Sequence, residues 1–138
     1  MILSHAPSAQ SADPRTEAVI RDIGMILEGH GMPRIAGLVF GLLLVEGCPV
    51  SLHDMTERLT ISRASASTNA RLLAERGLIR RTSRPAERQD YYEIVSHPFM
   101  SMLDTVSKGM TDAADALDAA ATRLPENRAD ARERVEAL

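Results

Sequence analysis

The stretch SRASASTNARLLAERGLIRR, Ser62 to Arg81, opens on serines and alanines, turns leucine-bearing, meets a glycine and leaves through two arginines. Ser62 suits an N-cap, and Ala66, Ala70 and Leu73 recur at i, i+4 and i+7, so a helix with one narrow apolar stripe is expected. With that stripe inward, Arg63, Ser67, Thr68 and Arg71 fall on or near the outward face, with Ser65 and Asn69 at its flanks. Gly77 stands where a left-handed residue ends a helix. Just upstream, SLHDMTERL (51–59) is a short helix capped by Ser51, with Leu52, Met55 and Leu59 inward. The link Thr60-Ile61 joins the two. A short helix, a tight turn and a second helix with a small, polar outer face form a helix-turn-helix. Small residues matter because a recognition helix must enter a major groove about 12 Å wide. Ser and Thr bond bases or phosphates, and Arg can be bidentate to a guanine edge.

Downstream, LIRRT (78–82) and DYYEIV (90–95) are rich in β-formers and flank the polar loop SRPAERQ, so a hairpin with a long tip is expected. Arg80, Arg81, Arg84 and Arg88 surround it and Pro85 stiffens it. An arginine on such a tip can enter a minor groove and read its width and potential. A helix-turn-helix followed by a basic hairpin is a winged helix.

The flanks are helical. Asp13-Pro14 starts one helix with Val19, Ile23, Ile26 and Leu27 on a common face, and EGHGMP (28–33) ends it. RIAGLVFGLLLVEG (34–47) is apolar nearly all round and reads as a central buried helix. Its Gly37 and Gly41 lie on one face and permit close approach of a neighbour. After His97-Pro98, residues Phe99, Leu103, Val106, Met110, Ala113, Leu117, Ala120 and Leu124 are spaced 4, 3, 4, 3, 4, 3, 4. That is a heptad seam, and its length favours a dimer. Pro125 interrupts it before a further short helix. The fold class expected is mainly α with a small β-hairpin wing, in the order α-α-α-α-β-β-α. Four segments are expected: a disordered lead over 1–12, a helix over 13–31 contributing to dimerisation, a winged helix-turn-helix over 32–96, and a dimerisation region over 97–138.

Composition narrows the function. Aromatics are only 3% and Trp is absent, so the core must come from aliphatic residues, Met and Ala. The methionines at 25, 32, 55, 100, 102 and 110 read as core filler. The net charge of −3 hides a segregation: residues 58–92 carry eight Arg against three carboxylates, net +5, while each flank is net −4. A positive island in an acidic chain points to a localised anionic partner. The single cysteine, Cys48, reads as a small packed residue, and the chain as cytoplasmic. The first residues lack the pattern of a signal peptide, and the longest apolar run, Ile35 to Val45, is too short to span a bilayer. His5, His30, His53 and His97 are scattered without metal-ligand spacing, and no nucleophile–base pairing or phosphate loop is visible. No metal, cofactor or enzymatic activity is expected.

The stretch from Gly31 to Ile94 resembles the MarR-type winged-helix regulators, and within them the GbsR-like subgroup. GMPRIAG, the S-x-x-S-x-S start at Ser62, ERGLIRR and RPAERQDYY carry the resemblance over nearly half of the chain. It implies a homodimeric repressor or activator joined through its terminal helices, and places DNA contacts on Ser62 to Arg71 and on the wing around Arg84 to Arg88. One departure is Glu87-Arg88-Gln89 where the family often has Asp-Arg-Arg. Another is the scarcity of aromatics for a quaternary-ammonium cage, so that ligand is not carried over. The DNA-binding residues expected are thus Ser62, Arg63, Ser65, Ser67, Thr68, Arg71, Arg81, Arg84 and Arg88. Those expected at the dimer contact are Val19, Ile23, Phe99, Leu103, Val106, Met110, Leu117 and Leu124. The partners are double-stranded DNA with a pseudo-palindromic operator and a second copy, with no membrane. A small-molecule effector, of no class the sequence names, would act best where the terminal helices meet the DNA-binding lobe. The alternative is a winged-helix protein-interaction module without specific DNA binding.

Overall fold

The computed structural model describes residues 13–138, and the lead expected over 1–12 lies outside them. Asp13 accepts the Arg15 N–H at 2.9 Å and Pro14 takes the first position of α1 (Pro14–Gly29). Its buried residues are Ile20, Gly24 and Leu27. The expected stripe is therefore corrected: Leu27 is inside, but Val19 and Ile26 are exposed at 47% and 61%. The reason is Gly24. Hydropathy gives glycine no weight, yet the closest helix approach lies there. A Cβ on Gly37 would come within 2.8 Å of the Gly24 Cα, and one on Gly41 within 2.9 Å of the Ile20 carbonyl oxygen. The glycines of α2 (Arg34–Glu46) thus let α1 lie against its backbone. Around that contact Ala36, Val39, Phe40, Leu42 and Leu43 are buried, and Gly47 at φ +66° ends the helix.

Val50–Ser51 form a strand, β1, that the sequence reading missed. It pairs antiparallel with β3 (Tyr91–Ile94), Val50 opposite Tyr92, and β3 also pairs with β2 (Ile79–Thr82). The sheet has three strands in the order β1-β3-β2, so the wing hairpin is anchored along its inner strand rather than standing alone. Two residues are too few to show a period of 2, and their partner lies some forty residues away.

Ser51 caps α3 (Leu52–Leu59) by accepting the Asp54 N–H at 3.1 Å. Thr60 turns the chain at φ +53° and Ser62 caps α4 (Arg63–Glu75) through the Ser65 N–H at 3.0 Å. Ala66, Ala70 and Leu73 are fully buried, and α4 packs on α2 and α3. Gly77 takes φ +77°. Arg58 ties α3 to both earlier helices: its side chain is 3% exposed, Nη1 donates to Glu46 at 2.7 Å and Nη2 to Glu17 at 3.2 Å. Its buried Nε has no hydrogen-bond partner among the described residues. Burial alone would lower the guanidinium's pKa, but the hydrogen bonds and charges of Glu46 and Glu17 together raise it.

The last long helix, α5, runs Pro98–Ala121 and buries only Ala121. The seam is shorter than expected. The N–H groups of Arg123 and Leu124 reach back three residues, to Ala120 and Ala121, so the helix tightens and ends, leaving Leu124 half-buried in the following turn. After a 3-10 turn at Glu126–Arg128 comes α6 (Ala129–Glu136). Its Arg132 donates to the carbonyls of Ala121 and Leu124, capping the end of α5. Not all methionines are filler: Met32 and Met55 are buried, but Met25, Met100 and Met110 are exposed. The chain divides into two compact units, one ending at Ser101 and the other Met102–Leu138. Among the described residues no helix is long and apolar enough to cross a membrane.

Candidate nucleic-acid interface

The outward face of α4 follows from its inward one. Opposite Ala66, Ala70 and Leu73 lies the exposed line Ala64, Thr68, Arg71 and Glu75. Arg63 is exposed at one side, and Ser67 there is half-buried. Ser62 is exposed but its hydroxyl oxygen is engaged as the cap. Ser65 is half-buried, its backbone carbonyl accepting from the Asn69 side-chain amide at 2.8 Å. Arg71 is exposed, its Nε in a long 3.4 Å contact with the Ser67 carbonyl. Ala64 was missed. Its helical position, two residues before Ala66, was the available signal.

The wing arginines divide into two kinds. Arg80 places Nε and Nη2 at 2.7 and 2.6 Å from one oxygen of Glu93, its register partner across β2 and β3. Arg81 does the same with Asp90, at 2.9 and 2.7 Å. Arg84 instead lies over the ring of Tyr91, with its Cζ 4.4 Å from the centroid. Arg88 is fully solvent-facing near the tip, where Ala86 takes φ +68° and the Glu87 N–H closes a turn onto the Arg84 carbonyl. The Tyr91 hydroxyl donates to Glu87, and that hydrogen bond raises the phenol's pKa. Tyr92, in the central strand, is raised chiefly by burial. Arg80 braces the hairpin across its two strands. Glu93 is its partner, and Arg76 reaches the Met32 sulfur at 3.8 Å.

The Cys48 thiol is pushed up by burial first and Glu46 next, with Arg84 offsetting only part. The two leading causes both work against thiolate formation. Among the described residues no three His, Cys, Asp or Glu are grouped to hold a metal. The residues expected at the dimer contact lie mostly in solvent: Phe99, Leu103, Val106, Met110 and Leu117 are exposed, as is Val19, while Ile23 is half-buried.

Residues 30–89 match the MarR family model. The HTH-type transcriptional regulator MmpR5 of Mycobacterium tuberculosis is 25% identical over 119 residues, spanning 86% of this chain and 72% of that protein. A crystal structure of a transcriptional regulator superposes with a TM-score of 0.73 at 24% identity, over 90% of this chain and 87% of that one. A point mutant of S. aureus MepR bound to an oligodeoxyribonucleotide superposes with a TM-score of 0.50 at 15% identity, over 88% and 86%. The two structural likenesses bear on the fold alone: a mostly helical chain with a small antiparallel sheet, built as a winged helix.

Proposed function

We infer that this chain, a DNA-binding transcriptional regulator with the winged helix of the MarR family at residues 30–89, acts as a homodimeric repressor. The family consists of transcriptional regulators, not enzymes. Each α4 lies in a major groove and each wing reaches the flanking minor groove, with the two recognition helices about 34 Å apart on a pseudo-palindromic operator. The observation that carries this reading is the face of α4. Its outermost line runs Ala64, Thr68, Arg71 and Glu75, small at its first two positions where the backbone can approach base edges, beside a hairpin bearing Arg84 and Arg88.

Arg63, Ser67, Thr68 and Arg71 supply the groove contacts, and Ser62 and Ser65 hold the helix start near the phosphates. Arg84 and Arg88 serve the minor groove, and Arg81 contributes only where DNA displaces Asp90. Dimerisation uses the apolar residues of α5 and of the outer face of α1, which a single chain leaves wet. GMPRIAG and the wing RPAERQDYY support a GbsR-like assignment, and a DNA partner favours a cytoplasmic location. The segments 13–31 and 97–138 serve the dimer, and 32–96 the DNA. An effector of a class yet to be identified would act by changing the separation of the two recognition helices.

Fluorescence anisotropy on the duplex upstream of the chain's own gene, against a scrambled duplex, tests this. About three arginine–phosphate contacts per protomer predict a slope of log K against log salt near −5. Preference for the native duplex with such a slope is the expected outcome. Absence of binding to either duplex at low salt would overturn it in favour of a protein-interaction module, which the pairing of Arg80 and Arg81 with carboxylates would suit.

A further inference from the structure

We propose that Tyr91 is a positioning residue for DNA recognition: its ring is a platform that holds Arg84 stretched across the wing with the guanidinium edge uncommitted. Three observations support it. Arg84 Cζ stands 4.4 Å above the ring centroid, within the range of a cation–π contact. The ring is fixed from both ends, through the backbone pairing of Tyr91 with Thr82 and Ser51 and through its hydroxyl, which donates to Glu87. The loop between them is closed by the Glu87 N–H on the Arg84 carbonyl, with Ala86 in the left-handed region.

The chemistry differs from that of the neighbouring arginines. A carboxylate takes the donors of a guanidinium, and Arg80 and Arg81 each give Nε and Nη2 to one. A ring face is no carboxylate: it attracts the charge and leaves most of the guanidinium's N–H groups for other acceptors. Arg84 is therefore both ordered before DNA arrives and able to donate to phosphate or to minor-groove acceptors. Ordering in advance removes much of the side-chain entropy that a long cation loses on binding. Glu87 has a part in this. At the position where the resembling family often has aspartate, its carboxylate is held at the ring's hydroxyl edge, while Arg84 occupies the ring's face. The inference rests on the minor-groove reading of the wing.

The test is a double-mutant cycle on the operator duplex, read by anisotropy over a salt series, with Tyr91→Leu, Tyr91→Phe, Arg84→Ala and Tyr91→Leu/Arg84→Ala. Tyr91→Leu is expected to weaken the dimer's affinity about tenfold, roughly threefold per wing, and to make the salt slope shallower by about 2. Tyr91→Phe keeps the ring and stays within about twofold of the parent. In the Arg84→Ala background, Tyr91→Leu adds nothing further. A full Tyr91→Leu effect in that background overturns the proposal, since the ring would then act without the arginine. An Arg84→Ala effect with no Tyr91→Leu effect overturns it too, and leaves the wing reading standing. No effect of Arg84→Ala removes the wing reading and the proposal together. NMR of the unmutated protein without DNA gives a check independent of any variant's folding. Ring current should move the Arg84 Nε–H proton upfield, and a random-coil shift there would refute the stacking.

Discussion

Arg81 and Arg84 stand three residues apart on the wing, yet one guanidinium is held by Asp90 and the other lies over Tyr91. The eight arginines between 58 and 92 are alike in sequence and unlike in space. Arg58 is interior, Arg76 and Arg80 have partners within the chain, and Arg63, Arg71, Arg84 and Arg88 face outward. The positive island was legible from counting. Its division was not, because the hairpin's pairing brings Glu93 into register with Arg80 and Asp90, just before β3, near Arg81, 13 and 9 residues along the chain. Asp90→Asn should therefore release Arg81 and remove a negative charge from the wing. DNA affinity is expected to rise a few-fold with a steeper salt slope; an unchanged slope would show that Arg81 stays away from DNA. Arg58→Ala leaves Glu46 and Glu17 without their counter-ion. It should cost about 2 kcal/mol by urea denaturation, less than a fully buried pair because both carboxylates keep some water. Tyr92 sets an alkaline limit. Its phenol is raised by burial, so the neutral form is favoured in the fold; its contribution is whole below the usual tyrosine pKa of about 10 and is lost as pH rises past the folded value. Tyr92→Phe should flatten the fall in stability above about pH 10, checked by thermal unfolding at alkaline pH.

Local capping chemistry made several elements readable before any coordinates. Asp13, Ser51 and Ser62 each accept the N–H that a cap should, and Gly77 takes the left-handed conformation expected of it. Ser62→Ala should lower stability by about 1 kcal/mol and loosen the first turn of α4, where the proposed DNA contacts begin; urea denaturation and amide exchange at Ser65 would report it. What failed was contact without hydropathy. The inner face of α1 turns on Gly24, and β1 is only two residues long, so neither leaves a periodic trace. The glycine pair of α2 was legible, and its importance is now measurable. A methyl group at Gly37 would meet the Gly24 carbonyl oxygen at 2.7 Å, and backbone cannot swing aside as a flexible side chain can. Gly37→Ala should cost about 1–3 kcal/mol, and full retention of stability would mean that α1 shifts freely on α2.

For the molecule as a whole, the winged helix could be read from residues 62–94 because cap, stripe, glycine and basic hairpin all agree there. The seam of α5 was legible too, up to its end, where the chain tightens after Ala121 instead of carrying Leu124 onward. Leu103→Asp places a charge in the middle of the exposed apolar row. It should move the protein from dimer to monomer in sedimentation and abolish operator binding, while leaving the first unit's fold intact. A dimeric mutant would put the contact elsewhere. That bare row also has a consequence for the cell. If two copies must meet before either grips DNA, occupancy at low abundance follows the square of the number of chains. For a repressor, Phe99, Leu103, Val106, Met110 and Leu117 then make the output of its target sensitive to protein supply: at low occupancy, halving that supply cuts operator occupancy nearly fourfold.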